Sequence, residues 1–562
     1  MEPGRRLTHR CEEIGMQPMR LDEVMSTALV VEQVHKARRA QSEWSRWPVC
    51  RRLAVLRRAR RALAARSLGA ESGLAFLPPD AEGAARAETL TAEVIPLAEA
   101  LRFLEREAEA ILAPRRPGSS GRPVWLAGVD LEVRREPLGV VLVIGPSSYP
   151  LFLPGVQTVQ ALAAGNAVVL KPGRGGTAAA RGLADLLRQA GLPTGLLGIL
   201  PEDPVAVRQA LDASDGHGIG SGRGIGGGID KVLLTGSAAS GREVLAELAP
   251  RLTPAVMELS GCDAAFVRED ADVERVVAAL TFGLRLRGGV TCIAPRRVFV
   301  DARRAPELTA RLDREAWRLS PVAVAPEIAR RARDLIRQAL RSGARCLTGP
   351  PSPSRIQAGA FPAVVLADVP PQAEILRVDL PAPVLSLVPV ADDDEALALA
   401  EECPYALGAT VFGAEAGARA LAERVRAGVV VVNDAIVPTA DPRLPFGGRG
   451  ESGFGVTRGA EGLLALTVPK AVAVRRRSRG RLRHLEPVTA GDEALFRAFL
   501  ALSHGGLGTR LRGLAALARA LGRRIVRPPA KAAEPLVSPS GDTSSNSTLQ
   551  NPIGRTPEEV LR

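Results

Sequence analysis

Three short apolar runs set the terms for how this chain can fold: Gly139-Val-Val-Leu-Val-Ile-Gly145, Ala167-Val-Val-Leu-Lys171-Pro172 and Lys231-Val-Leu-Leu-Thr-Gly236-Ser237. Runs this apolar, with no polar alternation, read as strands covered on both faces. Helical patterns at 152–164, 177–190 and 204–211 separate them, with a short strand centred on 197–200. Strand and helix in alternation predict a parallel sheet with right-handed crossovers. A second α/β block runs from Leu259 to about Asn433, with strands expected at 298–300, 363–366, 384–388 and 429–432. Ahead of the first block the sequence predicts helices over 30–66 and 84–113, then a loop and a half-exposed strand at 124–133. Past Lys470 the character changes. Residues 491–526 read as Arg-rich amphipathic helices, and the chain beyond Pro528 has the composition of a disordered tail. Residues 1–28 have weak periodicity and are expected to fray.

With 562 residues the chain is long enough for two or three domains, and 46% hydrophobic with 24% charged residues describes a soluble globular protein. The net charge of +13 is carried almost wholly by arginine, partly in clusters such as Arg57-Arg58-Ala-Arg60-Arg61 and Arg475-Arg476-Arg477. No aromatics interleave with these clusters, so base stacking has little to work with and nucleic acid is not expected as a partner. Six cysteines without a CxxC pair, and no apolar leader, point to a reducing, cytoplasmic setting. The five histidines are isolated and none pairs with a cysteine at ligand spacing, so no metal site is expected.

Chemistry concentrates at Arg287-Gly-Gly-Val-Thr-Cys292-Ile-Ala-Pro-Arg-Arg297. A lone cysteine follows a glycine pair and precedes a strand. Gly288 and Gly289 let the backbone approach whatever lies over the sulfur. Taken alone, Cys292 could be structural or nucleophilic. The Gly-rich segment 216–228 resembles a phosphate loop in composition, but it precedes its strand instead of following it. It reads as a low-complexity insertion.

From about Val30 to Val474 the chain resembles the aldehyde dehydrogenase superfamily. The resemblance rests on seven motifs in order: Pro137-Leu-Gly-Val-Val, Ala163-Ala-Gly-Asn166-Ala-Val-Val-Leu-Lys171-Pro, Thr235-Gly-Ser237 with Gly241, Glu258-Leu-Ser-Gly261, Cys292-Ile-Ala-Pro-Arg-Arg297, Val432-Asn433-Asp, and Pro445-Phe-Gly-Gly448 with Ser452-Gly453. The implied fold is α/β: a Rossmann-like dinucleotide-binding domain, an α/β catalytic domain and a β-strand oligomerisation arm. The expected division is an N-terminal segment 1–28, an NAD(P)-binding domain 29–257 that includes the oligomerisation strand 124–136, and a catalytic domain 258–433. A return segment and arm 434–475, a helical extension 476–527 and a tail 528–562 complete the chain.

The resemblance implies NAD(P)-dependent oxidation of an aldehyde to a carboxylic acid. Cys292 matches the nucleophile, Glu258 the general base and Ser148 the oxyanion-hole position. Gly236, Ser237 and Gly241 match the pyrophosphate turn, Lys171 the ribose contact and Asp379 the nicotinamide-ribose contact. Arg174 replaces a glutamate that disfavours a 2′-phosphate, which keeps NADP beside NAD as the cofactor. A homodimer or homotetramer is implied as well.

The departures from the pattern gather near the expected site. Ser148 stands where the family has asparagine, and Ser147 stands where tryptophan is common. Ser260-Gly261-Cys262 replaces Gly-Gly-Lys, Val290 replaces glutamine, and Asp379 is one methylene shorter than the usual glutamate. These keep open a catalytically impaired binding or scaffold member; a CoA-linked acylating or reductive relative is the other alternative, with Glu258 arguing against it. The C-terminal helical pattern, with Leu511, Leu514, Leu517 and Leu521 among arginines, suits peripheral contact with an anionic membrane. Packing on its own domain or on a dimer partner is the alternative.

Overall fold

The computed structural model describes residues 21–67, 83–123, 126, 128–213, 228–349, 360–475 and 487–526. The chain divides into two units, Met1–Arg475 and Arg476–Arg562. In the first unit, β1 (Val129–Pro137) leads into β2 (Val140–Ile144), β3 (Ala167–Lys171), β4 (Leu197–Ile199), β5 (Lys231–Gly236) and β6 (Ala255–Leu259). Strands β4, β3, β2, β5 and β6 lie side by side in that order, all parallel, and Gly453–Phe454 closes the β6 edge antiparallel. The chain winds outward from β2 to β4, then returns to the other side of β2 with β5. A reversal of this kind opens a crevice between β2 and β5 at their carboxyl ends, where sheets of this class bind ligands.

The helix Phe152–Ala164 is buried along its whole length, which explains why its sequence is apolar on every face. It stops at Gly165 (φ +98), where a Cβ would overlap the Arg52 guanidinium. Helix Leu21–Trp44 packs on β2, β3 and β4, helix Val49–Arg66 packs on the helices that cover the sheet, and the Trp44 indole donates to the Leu162 carbonyl at 2.9 Å. The first of these starts at Leu21, within the segment expected to fray, because Val30 and Val34 are fully buried and anchor it.

The second sheet holds β7 (Asp263–Val267) and β8 (Pro295–Asp301) at its centre. Its order is Arg345–Cys346, Val364–Ala367, Val384–Val390, β8, β7, Gly408–Phe412 and Val429–Val432. Only the first of these pairings is antiparallel. The expected strands are all present, within one or two residues except at β8, which extends to Pro295 at its start.

Strand β1 runs from 129 to 137, later than the expected 124–133, because Gly128 (φ +79) breaks the extended backbone just before it. It pairs antiparallel with Thr467–Arg475 from Val129↔Arg475 to Pro137↔Thr467. Positions 124, 125 and 127 lie outside the described residues, as do the N-terminal twenty, the tail from 527 on, and the Gly-rich insertion except Gly228. The second unit contains helices Glu493–His504 and Leu507–Val526. Phe496, Leu500, Leu511 and Leu514 on these helices are exposed. Among the described residues no helix is long and apolar enough to cross a membrane.

Candidate functional site

The crevice at the carboxyl ends of β2 and β5 collects the residues singled out in the sequence. Gly236 ends β5, and Ser237 caps the helix Ala238–Leu248, its hydroxyl accepting the Ser240 N–H at 3.1 Å. Ser237, Ala239 and Ser240 are exposed. The first-turn amides of such a helix lack intrahelical acceptors, so this face suits a phosphate. Gly241 works differently: a Cβ there would come within 2.8 Å of Leu259, so glycine is what lets the helix close on β6. Lys171 ends β3 and is buried, which lowers its pKa, while Glu202 and Asp203 oppose that shift. Arg174, three residues on, is exposed.

The sequence reading missed Glu202. Its carboxylate accepts the Gly175 N–H (2.8 Å), the Thr177 N–H (2.9 Å) and the Thr177 hydroxyl (2.6 Å), capping the helix Thr177–Gln189 from the loop after β4. A carboxylate arriving from a distant loop leaves no local signal. These residues together fit a dinucleotide: an open helix N-terminus and a lysine line the topological switch point.

Cys292 sits just ahead of β8 and interacts electrostatically with Glu258 near the end of β6. Arg287 (φ 53), Gly288 (φ 65) and Gly289 (φ 73) form a left-handed turn before it. A Cβ on Gly289 would lie 2.8 Å from Pro383 Cα, so glycine is required there on two counts. Arg296 locks the turn from beneath, donating to the carbonyls of Ala382 (2.7 Å), Gly289 and Thr291. Cys292 is half-buried. Desolvation nonetheless pushes its thiol up to about 12, aided by the Glu258 and Asp263 carboxylates and opposed by Arg458.

Glu258 stands near the end of β6, 3% exposed, beside Thr235 on β5. The Thr457 hydroxyl donates to its Oε2 at 3.0 Å, and Oε1 has no partner among the described residues. Burial raises its pKa above the usual glutamate range, with Arg458, Thr457 and Gln157 pulling the other way.

Ser148 is joined to the cysteine turn by its neighbours. The Tyr149 hydroxyl and the Thr291 hydroxyl lie 2.7 Å apart, and Arg287 donates twice to the Ser148 carbonyl (2.9 and 3.2 Å). Behind them sits Glu93, 2% exposed, on the π-helical turn Leu90–Val94. Its Oε2 accepts the N–H groups of Leu151 (2.7 Å) and Phe152 (3.1 Å), and its Oε1 lies 3.3 Å from Arg287. Glu93 is a second residue the sequence did not betray, since a carboxylate inside a helical pattern reads as a solvent-facing charge. Asp379 accepts the hydroxyl of Ser260, two residues past Glu258, and burial raises its pKa. Asn433 turns inward to bond both backbone groups of Gly413, a structural use of that motif.

A two-sheet α/β protein with a dinucleotide-type crevice at one sheet and a cysteine turn at the other fits the class of cofactor-dependent enzymes. The aldehyde dehydrogenase family profile matches residues 23–472. The chain belongs to that family. It is 29% identical over 493 residues to a 4,4′-diapolycopene aldehyde oxidase from Methylomonas sp, covering 86% of this chain and 88% of that one. The Mycobacterium tuberculosis aldehyde dehydrogenase complexed with NAD+ superposes with a TM-score of 0.68 at 27% identity, over 80% of this chain and 90% of its own. The NADP-dependent glyceraldehyde-3-phosphate dehydrogenase of Bacillus halodurans C-125, complexed with NADP, gives a TM-score of 0.69 at 25% identity, over 80% and 92%. This chain is an NAD(P)-dependent enzyme that oxidises aldehydes.

Proposed function

We propose that Cys292 is the nucleophile of this oxidation. Its thiolate adds to the aldehyde carbon to give a thiohemiacetal, and loss of hydride from that carbon leaves a thioester. The dinucleotide, when bound, supplies the hydride acceptor. Lys171 and Arg174 hold its adenosine end, Gly236, Ser237 and Gly241 shape its pyrophosphate turn, and Asp379 holds its nicotinamide ribose. The Ser148 hydroxyl and the Cys292 N–H stabilise the oxyanion. Glu258 then takes a proton from water as it attacks the thioester, and the acid leaves.

The observation that carries this reading is Glu258, a buried carboxylate held by Thr457 and within electrostatic reach of Cys292. A base for hydrolysis favours release as the acid over transfer to CoA. The test is a rapid-mixing measurement of reduced cofactor, with NAD and with NADP. Wild type turns over continuously. Glu258→Gln gives one equivalent per site and then stalls, and Cys292→Ala gives none. Continuous turnover by either variant would reject the assignment.

Residues 29–257 are the NAD(P)-binding domain and 258–433 the catalytic domain, with Ser148 of the first serving the chemistry and Asp379 of the second serving the dinucleotide. The ribbon of 129–137 with 467–475 is the oligomerisation arm of a homodimer or homotetramer. Light scattering on a chain with charged residues at Val468 and Val474, both exposed, would detect its loss. The substrate is a long apolar aldehyde, as the name of the Methylomonas relative suggests. The exposed Phe496, Leu500, Leu511 and Leu514 bring the enzyme to anionic lipid surfaces that hold such aldehydes. KM should fall with aldehyde chain length, and the full chain should sediment with anionic vesicles but not neutral ones. A flat KM series or no sedimentation would remove this part.

A further inference from the structure

We propose that Arg458 is the fixed counter-cation of the site, a positioning residue that favours the ionised form of Glu258 and the thiolate of Cys292. This rests on the roles given above to those two residues. Arg458 is 5% exposed, and among the described residues no carboxylate forms an ion pair with it within 4.0 Å. One guanidinium N–H donates to the Thr439 carbonyl at 2.7 Å, and its backbone N–H donates to Gln160 Oε1 at 3.1 Å. The guanidinium lies 4.1 Å from the ring centre of Phe446 and 5.6 Å from that of Phe152. Its Nε has no partner among the described residues, nor does Glu258 Oε1. Two buried groups of opposite charge are thus each left with an open hydrogen-bonding position.

The backbone ties Arg458 to the carboxylate through the residue before it. Thr457, the preceding residue, holds Glu258 through its hydroxyl and pairs with Phe446 by two backbone bonds of 2.7 and 2.8 Å. Arg458 itself has φ 60 and ψ 176, a region ordinarily left to glycine. A side chain that only filled space would not need that strain, and a leucine or methionine would avoid the desolvation of a buried guanidinium.

The neighbours with named contacts are polar or aromatic: Gln160 and Phe152 from the helix Phe152–Ala164, together with Thr439, Thr457 and Phe446. The charges that reach Arg458 are those of Glu258 and Cys292, both favouring its cationic form, while Asp263 acts on Cys292. Its effect on those two groups is to favour their anions, against the burial that opposes both.

The experiment is alkylation of Cys292 by iodoacetamide in cofactor-free full-length protein from about pH 6 to about pH 10, followed by peptide mass spectrometry. Below its plateau the rate tracks the thiolate fraction. Arg458→Met should lower the Cys292 rate about tenfold at every pH, a shift of about one unit, and Arg458→Lys should stay near wild type. The acid limb of the kcat–pH profile should also move up in the Met variant, because Glu258 loses its cation. A folded Met variant with an unmoved alkylation line and an unmoved acid limb would overturn the proposal. If the Met variant does not melt cooperatively, the Lys variant decides, and a tenfold loss there would show that the guanidinium's shape matters and its charge does not. Activity surviving in Cys292→Ala would reject the nucleophile, yet leave this alkylation difference standing.

Discussion

Glu93 offers the sharpest test of how this site is held together. The helix Phe152–Ala164 begins four residues after Ser148, and all of it is buried. Without Glu93 the N–H groups of Leu151 and Phe152 have no water to turn to. Leaving two buried donors unmet costs about 1–3 kcal/mol each, and a half-compensated Arg287, 21% exposed, adds a smaller amount. Glu93→Ala should therefore lose about 4 kcal/mol of stability, read as a shift of the urea midpoint by tryptophan fluorescence. Glu93→Gln keeps one acceptor oxygen and the shape, so its loss should be roughly half as large.

Activity separates this from a plain packing defect. Arg287 touches both Glu93 and the Ser148 carbonyl, so releasing it loosens the oxyanion position and the cysteine turn together. A misplacement of about 1 Å at such a site costs about a hundredfold in rate, so kcat should fall well before KM rises. A Glu93→Ala protein within about 1 kcal/mol of wild type, or one with unchanged kcat, would show that the buried carboxylate does not organise the site.

Other consequences are more direct. Gly241→Ala drives a Cβ into Leu259 and should cost about 1–3 kcal/mol with weaker dinucleotide binding by fluorescence titration; unchanged binding would mean the helix can retreat freely. Arg174→Glu should weaken NADP binding more than NAD binding in the same titration, and an unchanged ratio would dismiss Arg174 from cofactor choice. Because burial raises Glu258, kcat should lose its acid limb at a pH above the usual glutamate range. The sign for stability is opposite to that of a carboxylate held ionised by an ion pair: the folded state binds the extra proton, so this group's contribution falls as pH rises from the unfolded to the folded pKa. A thermal-melt series rising through that window in wild type but flat in Glu258→Gln would contradict the assignment.

The sequence made the fold legible because its strands are short apolar runs bounded by Gly, Pro and Asn, and its buried helix ends on a glycine. Periodicity located Phe152–Ala164 and Val429–Val432 to the residue. Cys292, Glu258, Lys171 and Ser237 were visible because each stands at a strand or helix end inside a motif. Glu93 and Glu202 were not, since each acts on a partner far away in sequence, Glu93 on Leu151 and Glu202 on Thr177; nor was Arg458, whose proposed partner is Glu258. Nothing local distinguishes a buried carboxylate or guanidinium from the many on the surface. The start of β1 was misplaced because alternation in 124–133 gave no weight to Gly128, whose positive φ ends the extended run.

Two departures that look independent in the sequence meet in the structure. Ser260 stands where the family pattern has glycine, and Asp379 is one methylene shorter than the usual glutamate. The Ser260 hydroxyl donates to the Asp379 carboxylate, a contact that glycine could not make. The pair should therefore behave as a unit. Ser260→Gly leaves a half-buried carboxylate without its donor, and Asp379→Glu pushes a longer carboxylate against a hydroxyl already in place. Each single change should weaken dinucleotide binding by about 1–2 kcal/mol, while the double change should recover most of the loss. A double-mutant cycle on dinucleotide affinity measures this, with a coupling of about 1 kcal/mol or more expected for groups in contact. Additive losses would mean that the two substitutions arose separately and that Asp379 reaches the nicotinamide ribose without help from Ser260.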